Sequence, residues 1–132
     1  MSYTNNSLSI AAGTGITVTP VTATGATTIT ISSTGTQTLA IRNALATPIT
    51  VLTTDEVVSV QVPVAVAVAV TLPVGTTGRT FTIKDGLGLA APATPITVSP
   101  TAGTIDGAIS AVIDAPYGSL TFVYNGTQWL IL

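Results

Sequence analysis

Residues 57–74 read VVSVQVPVAVAVAVTLPV, the most apolar run in the chain. A run of this length raises the question of a transmembrane helix, which needs about 20 predominantly apolar residues. Its spacing answers otherwise. Ser59, Gln61, Pro63, Thr71 and Pro73 interrupt it, and valines hold the even positions from Val60 to Val70, with Ala65, Ala67 and Ala69 between them. A period of two places alternate side chains on opposite faces, which is the pattern of a β-strand. Pro63 removes a ladder donor, so the run predicts strands broken near that residue rather than one uninterrupted central strand. The valine face can fill a core, whereas the smooth alanine face lets another sheet or subunit approach closely.

The same alternation extends in both directions. Strands are expected over 49–52, 57–62, 65–72, 80–84, 96–99, 111–114, 120–124 and 127–132, with turns at 53–55, 73–78, 85–88, 100–107, 116–119 and 125–126. Many short strands with regular punctuation indicate an all-β antiparallel sandwich or barrel rather than βαβ units. That domain is assigned to 46–132, preceded by a linker over 36–45 and an N-terminal β-hairpin arm over 1–35. In the arm, Ile16-Thr17-Val18-Thr19 and Thr28-Ile29-Thr30-Ile31-Ser32 alternate apolar with Thr, and 21–26 forms the loop. A lone two-stranded hairpin is marginal, so it needs something to lie on. The nearest candidate for a helical turn is 36–46, on the spacing of Leu39, Ile41, Arg42 and Leu45. The hexapeptide Ala-Thr-Pro-Ile-Thr-Val occurs at 46–51 and again at 93–98, as an old duplication or by coincidence in a chain rich in these residues.

Asn125-Gly126 between Phe122-Val123-Tyr124 and Thr127-Gln128-Trp129 is a strong hairpin signal. A two-residue loop there would set Tyr124 opposite Thr127 and Phe122 opposite Trp129. Leu120, Phe122, Trp129 and Ile131 would then share the core face.

Composition narrows the function. The 132 residues include only three basic and five acidic side chains, no His and no Cys, and hydrophobic residues make up 46%. Mean hydropathy is +0.68. Soluble monomers ordinarily carry far more surface charge. Either a Thr/Ser coat replaces charge, or neighbouring subunits cover much of the surface; strands apolar on both faces favour the second. A net charge of −2 with three basic residues excludes a phosphate-binding patch, so no nucleic acid is expected as a partner. Residues 1–20 have neither a basic region nor an apolar core of a signal peptide, and no membrane insertion is expected.

The chain is poor in chemistry. Without His the commonest general base and metal ligand is missing, and without Cys there is no thiol nucleophile or zinc–sulfur site. Lys84 is the one base available to a Ser nucleophile, but Lys84-Asp85-Gly86 reads as a solvated turn. Asp85 and Asp106 precede Gly and suit left-handed turn positions, while Asp55 and Asp114 suit turns or strand ends. Calcium-loop and nucleotide-loop spacings are absent. No catalytic residue, metal ligand or cofactor is therefore expected. Among the six aromatics Tyr117, in Pro116-Tyr117-Gly118-Ser119, is the best candidate for an exposed contact.

Several segments together carry a resemblance: Thr54-Asp55-Glu56-Val57-Val58, Val70-Thr71-Leu72-Pro73, Gly78-Arg79-Thr80-Phe81-Thr82-Ile83-Lys84-Asp85, Ile105-Asp106-Gly107, Tyr117-Gly118-Ser119 and Val123-Tyr124-Asn125-Gly126-Thr127-Gln128-Trp129. Over about 47–132 their order resembles a β module of bacteriophage tail fibres, head fibres and capsid decoration proteins. The leader, from Ala12-Gly13-Thr14-Gly15-Ile16 to Thr30-Ile31-Ser32, is similar to segments of phage fibre chains. The resemblance implies a non-enzymatic homotrimer in the virion, assembled in the host cytoplasm. A chain of 132 residues from Met1 without a long shaft fits a capsid decoration (cement) protein, gripping the major capsid protein or another virion protein through its N-terminal arm. The alternative is a tail-fibre or head-fibre subunit, which would add a host glycan as partner. Assembly contacts are expected at Leu8, Ile10, Ile16, Val18, Ile29 and Ile31 in the arm and at Ala65, Ala67 and Ala69 in the domain.

Overall fold

The computed structural model describes residues 38–132, together with the backbone of two short strands, β1 (Ile16–Val18) and β2 (Ile31–Ser33). The chain divides into two compact units, Met1–Thr38 and Leu39–Leu132. In the first, β1 and β2 pair antiparallel, with Val18 opposite Ile31 and Ile16 opposite Ser33. The remainder of the expected arm lies outside the described residues.

The second unit is all-β, with no helix among the described residues. Its strands are β3 (Ile41–Ala44), β4 (Ile49–Thr50), β5 (Val57–Val60), β6 (Val68–Leu72), β7 (Thr80–Asp85), β8 (Ile96–Pro100), β9 (Ala111–Ile113), β10 (Ser119–Tyr124) and β11 (Trp129–Ile131). They form a five-stranded sheet, β11-β10-β7-β5-β3, and a four-stranded sheet, β4-β6-β8-β9. Neither sheet closes into a barrel. Nor is the pairing purely antiparallel: β3–β5, β5–β7, β4–β6 and β6–β8 are all parallel.

The reason is the path of the chain. From β3 to β8 successive strands go to alternate sheets, so strands two apart in sequence become neighbours and run the same way. This is the connectivity of a flattened β-helix of three coils. A parallel pair needs a crossover connection, and here the crossover is itself a strand of the opposite sheet. After β8 the chain turns back: β9 runs antiparallel to β8, β10 to β7 and β11 to β10. Alternation within a strand specifies faces but not pairing direction, which is why the parallel coils were not legible in it.

One apolar core fills the space between the sheets. Val58, Val60, Phe81, Ile83 and Phe122 come from the larger sheet, and Ile49, Val70, Leu72, Ile96 and Val98 from the smaller. The valine run breaks as Pro63 predicts: β5 ends at Val60, β6 begins at Val68, and the stretch between is a crossing. Val62, Val68 and Val70 are buried, but Val64 and Val66, on the crossing, are exposed. The two hexapeptide copies flank β6 in one sheet without matching in register. Ile49 lies opposite Val70, which lies opposite Val98, whereas Ile96 lies opposite Val68.

Two expectations change. Segment 36–46, the candidate helical turn, contributes edge strand β3. The last hairpin pairs Tyr124 with Trp129 and Phe122 with Ile131, so its loop is 125–128 and not Asn125-Gly126 alone. The Asn125 carboxamide oxygen accepts the amides of Thr127 and Gln128, both at 2.9 Å, and the Asn125 amide donates to the Gln128 carbonyl at 3.1 Å. Gln128 Oε1 meanwhile accepts from Thr104 Oγ1 at 2.9 Å and Gly107 N at 3.0 Å, tying the wider loop to its neighbour. A slip of two residues preserves the face of every side chain, where a slip of one would reverse it. Phe122 and Trp129 are therefore fully buried as expected, with Leu120, Tyr124 and Ile131 packed beside them.

Candidate functional site

The charged side chains are the natural place to look for chemistry, and most are engaged in holding loops. Arg42 reaches from β3 toward the loop after β4. Its Nε lies 3.1 Å from both carboxylate oxygens of Asp55, and its Nη2 donates to Asp55 Oδ2 at 2.8 Å and to the Thr50 carbonyl at 2.9 Å. Asp55 also accepts the Leu52 amide at 2.9 Å. Arg79, stacked 4.8 Å from the Phe81 ring centroid, donates Nη2 to the carbonyls of Thr53 (3.1 Å) and Asp55. Two of the three basic residues thus converge on one loop. Burial alone would raise the Asp55 pKa, but the Arg42 hydrogen bonds, the Leu52 amide and the charges of Arg42 and Arg79 outweigh it, and the carboxyl sits below its ordinary value. The same partnership raises Arg42, against the cost of its own desolvation.

Asp85, expected in a solvated turn, is instead the buried last residue of β7. Its Oδ1 accepts the amides of Leu87 (3.3 Å) and Gly88 (3.1 Å), and its Oδ2 those of Ala90 and Tyr117, each at 3.0 Å. Burial raises its pKa, but the amides of Ala90, Tyr117 and the 87–89 turn overcome that and lower it. Its backbone is not left-handed; the left-handed residues here are Gly88 (φ 72°) and Tyr117 (φ 58°). Asp106 does take the left-handed conformation, at φ 48°, and its carboxylate accepts the Ile131 amide at 3.2 Å.

Tyr117 is 62% exposed, as a contact residue should be. Its position is fixed from beneath. Asp85 holds its amide, Lys84 Nζ donates to its carbonyl, and the same ammonium lies 5.7 Å from the ring centroid. The ring lies so close over Gly88 that a Cβ there would come within 2.6 Å of it. Sequence pattern singled out Tyr117 but not its support, because a Lys-Asp-Gly triplet looks the same whether its carboxylate faces water or amides.

Of the other predicted contacts, Ala65, Ala67 and Ala69 are each exposed, the first two on the crossing, where Val64 and Val66 are exposed as well, and the third in β6. Ile16 and Val18 lie in β1 and Ile31 in β2, while Leu8, Ile10 and Ile29 lie outside the described residues. No group of three potential metal ligands occurs among the described residues. A surface hollow of about 190 Å³ is an open trough along 112–115 and 118–120 whose one charged group is Asp114.

The feature that alternation did not reveal is the β3 edge of the larger sheet, where no described strand pairs on the outer side. Leu39, Ile41 and Leu45 are 66%, 63% and 66% exposed along β3 and its flanks. Their spacing of two and four was legible, but it was attributed to a helical turn. In all, thirteen large apolar side chains are exposed among the described residues. No protein-family model matches the chain, and no curated protein matches it in sequence.

Proposed function

We propose that this chain is a non-enzymatic structural protein of a bacteriophage virion, a capsid decoration protein that self-associates as a homotrimer and binds the shell through its N-terminal section. The observation that carries this reading is the division of labour on its surface. Arg42, Asp55, Arg79, Lys84 and Asp85 are committed to the protein's own loops, while thirteen large apolar side chains among the described residues face outward. A surface with few free charges and many apolar groups favours burial against other subunits. The resemblance of 47–132 to phage fibre and decoration modules supplies the kind of assembly, and the exposed Val64–Ala67 crossing with Ala69 offers small apolar side chains for a contact.

The test is addition of purified protein to phage particles that lack it. Full-length chain is expected to bind the shell and raise resistance to heat or osmotic shock, and a variant lacking 1–35 is expected not to bind. A second reading, a fibre subunit that contacts a host glycan, draws support from the exposed and braced ring of Tyr117. Binding to host cells but not to shells, lost in Tyr117→Ala, would replace the first reading with the second.

A further inference from the structure

Three dipeptides in the chain place an acid or amide side chain directly before glycine: Asp85-Gly86, Asp106-Gly107 and Asn125-Gly126. In each, the side-chain carbonyl carbon is next to a backbone nitrogen that no Cβ hinders, the pairing that can close to a cyclic imide. Closure needs that nitrogen free to attack, and the fold treats the three differently. Gly86 N donates to the Val60 carbonyl at 2.9 Å, and the buried Asp85 carboxylate is held by four amides. Gly107 N donates to Gln128 Oε1 at 3.0 Å, and Asp106 accepts the Ile131 amide. Gly126 N donates to no described residue, and Asn125, Gly126 and Thr127 are all exposed.

The rest of the 125–128 loop prepares Asn125 as the electrophile. Its Oδ1 accepts the amides of Thr127 and Gln128, both at 2.9 Å. Fixed N–H donors on a carbonyl oxygen stabilise the negative charge that grows there when a nucleophile adds. These donors are held in place. The Gln128 carbonyl takes the Asn125 amide at 3.1 Å, and the Gln128 side chain is tied to Thr104 and Gly107. Nucleophile, leaving group and the donors that polarise the carbonyl thus meet in one exposed loop.

We infer that Asn125-Gly126 is a self-modification site, at which the folded chain loses ammonia and acquires a carboxylate. Gly126 N gives its proton to solvent hydroxide and bonds to Asn125 Cγ. The Cγ–Nδ2 bond then breaks, Nδ2 takes a proton from water and leaves as ammonia, and the ring that remains is a succinimide. Water reopens the ring at either carbonyl. Opening at Cγ leaves Asp in an ordinary backbone, and opening at the α-carbonyl leaves isoaspartate, with the former side chain now part of the backbone. The net change is amide plus water to carboxylic acid plus ammonia, with nothing oxidised or reduced. Either product adds a negative charge to a chain whose net charge is −2. The Asp product keeps an acceptor for the Thr127 and Gln128 amides, whereas the isoaspartyl product loses it and lengthens the backbone close to Trp129. The inference is independent of the virion reading and uses none of its contacts.

The test holds the full-length chain at mildly alkaline pH and follows it by peptide mass spectrometry, which separates Asn125 from Asn5, Asn6 and Asn43. Conversion to Asp and isoaspartate is expected at Asn125 while circular dichroism stays native. Asp106→Asn sets the same dipeptide where the glycine amide is already bonded to Gln128 Oε1, at a left-handed position that Asn tolerates. That site should convert at least about tenfold more slowly than Asn125, because its nucleophile is held away from the carbonyl carbon. Adding Gln128→Ala to Asp106→Asn frees the amide and should restore conversion at position 106. Asn125→Asp should unfold at the parent's urea midpoint, and the purified isoaspartyl form at a lower one. If Asn125 converts in urea but not in the folded chain, the loop keeps the reactants apart and the inference fails. Equal rates at Asn125 and at position 106 of Asp106→Asn would show that the dipeptide alone sets the rate, and would equally overturn it.

Discussion

The two edges of the larger sheet end the same architecture in opposite ways. At β11 the edge is sealed: a loop covers its backbone, Asp106 accepts the Ile131 amide, and Trp129 is fully buried against Phe81 and Tyr124, with ring centroids 5.6 and 5.2 Å away. At β3 polar groups hold the neighbouring loop through Arg42 and Asp55, yet no described residue hydrogen-bonds to the strand's outer backbone, and its aliphatic side chains are exposed. Aromatic and hydrogen-bonding material is concentrated where the chain ends its coils, whereas exposed aliphatic side chains occur at both ends, Leu39, Ile41 and Leu45 along β3 and Ile109 and Leu132 late in the chain.

The sealed edge should give the largest loss on mutation. Trp129→Ala is expected to destabilise the fold by about 3–5 kcal/mol, the range for a large buried aromatic, read from urea unfolding midpoints. Trp129→Phe should cost clearly less. The indole Nε1 has no hydrogen-bond partner among the described residues, and an unpaired buried donor already costs roughly 1–3 kcal/mol that the phenyl ring does not incur. A loss for Trp129→Phe equal to that for Trp129→Ala would mean that Nε1 is satisfied.

Next in size are the buried carboxylates, one in each loop system. Asp85→Ala would leave four amides without their acceptor and should cost roughly 2–4 kcal/mol, since each orphaned buried donor carries a desolvation penalty. Both Asp55 and Asp85 have folded pKa values below their ordinary ones. Their contribution is thus fully present above the unfolded value of about 4 and is lost as pH falls through the depressed folded values. Stability should be nearly flat between about pH 5 and 8, where no histidine titrates, and then fall steeply in acid. Asp85→Asn should flatten that acid limb, and an unchanged limb would show that the carboxylate is not the titrating group.

How much of this was legible in the sequence depends on what alternation can encode. Period two located the strands through Val57, Thr80, Ile96 and Leu120, and the faces of Phe122 and Trp129 survived even an error in hairpin register. Pairing direction was not encoded, because Val58 looks the same whether β5 lies beside a parallel or an antiparallel neighbour. The Asn125-Gly126 signal proposed the shortest loop, and the longer one forms because Asn125 and Gln128 side chains find partners only in that geometry. Asp85 was misread for a related reason: a carboxylate's environment is set by amides that its own triplet does not specify, here those of the 87–90 turn and of distant Tyr117. At β3, Leu39, Ile41, Arg42 and Leu45 satisfy a helical spacing as well as an extended one, and only the pairing with β5 decides between them.

The smallest expected effect is at the open edge. Ile41→Thr removes apolar surface that is already in water in the isolated unit and keeps a β-branched side chain in a strand. Exposed substitutions of this kind usually change folding stability by less than about 0.5 kcal/mol. The same change at Ile131, packed beside Trp129, removes contacts inside the fold and should cost about 1–2 kcal/mol. Denaturation of the two variants at a concentration low enough to dissociate any oligomer measures that contrast directly. Ile41→Thr should then be indistinguishable from the parent, while at high concentration it should fall behind, because the parent gains stability by mass action from whatever covers the edge. A loss at Ile41 as large as that at Ile131, and independent of concentration, would mean that this side chain is covered within a single chain, and the two edges would no longer differ in kind.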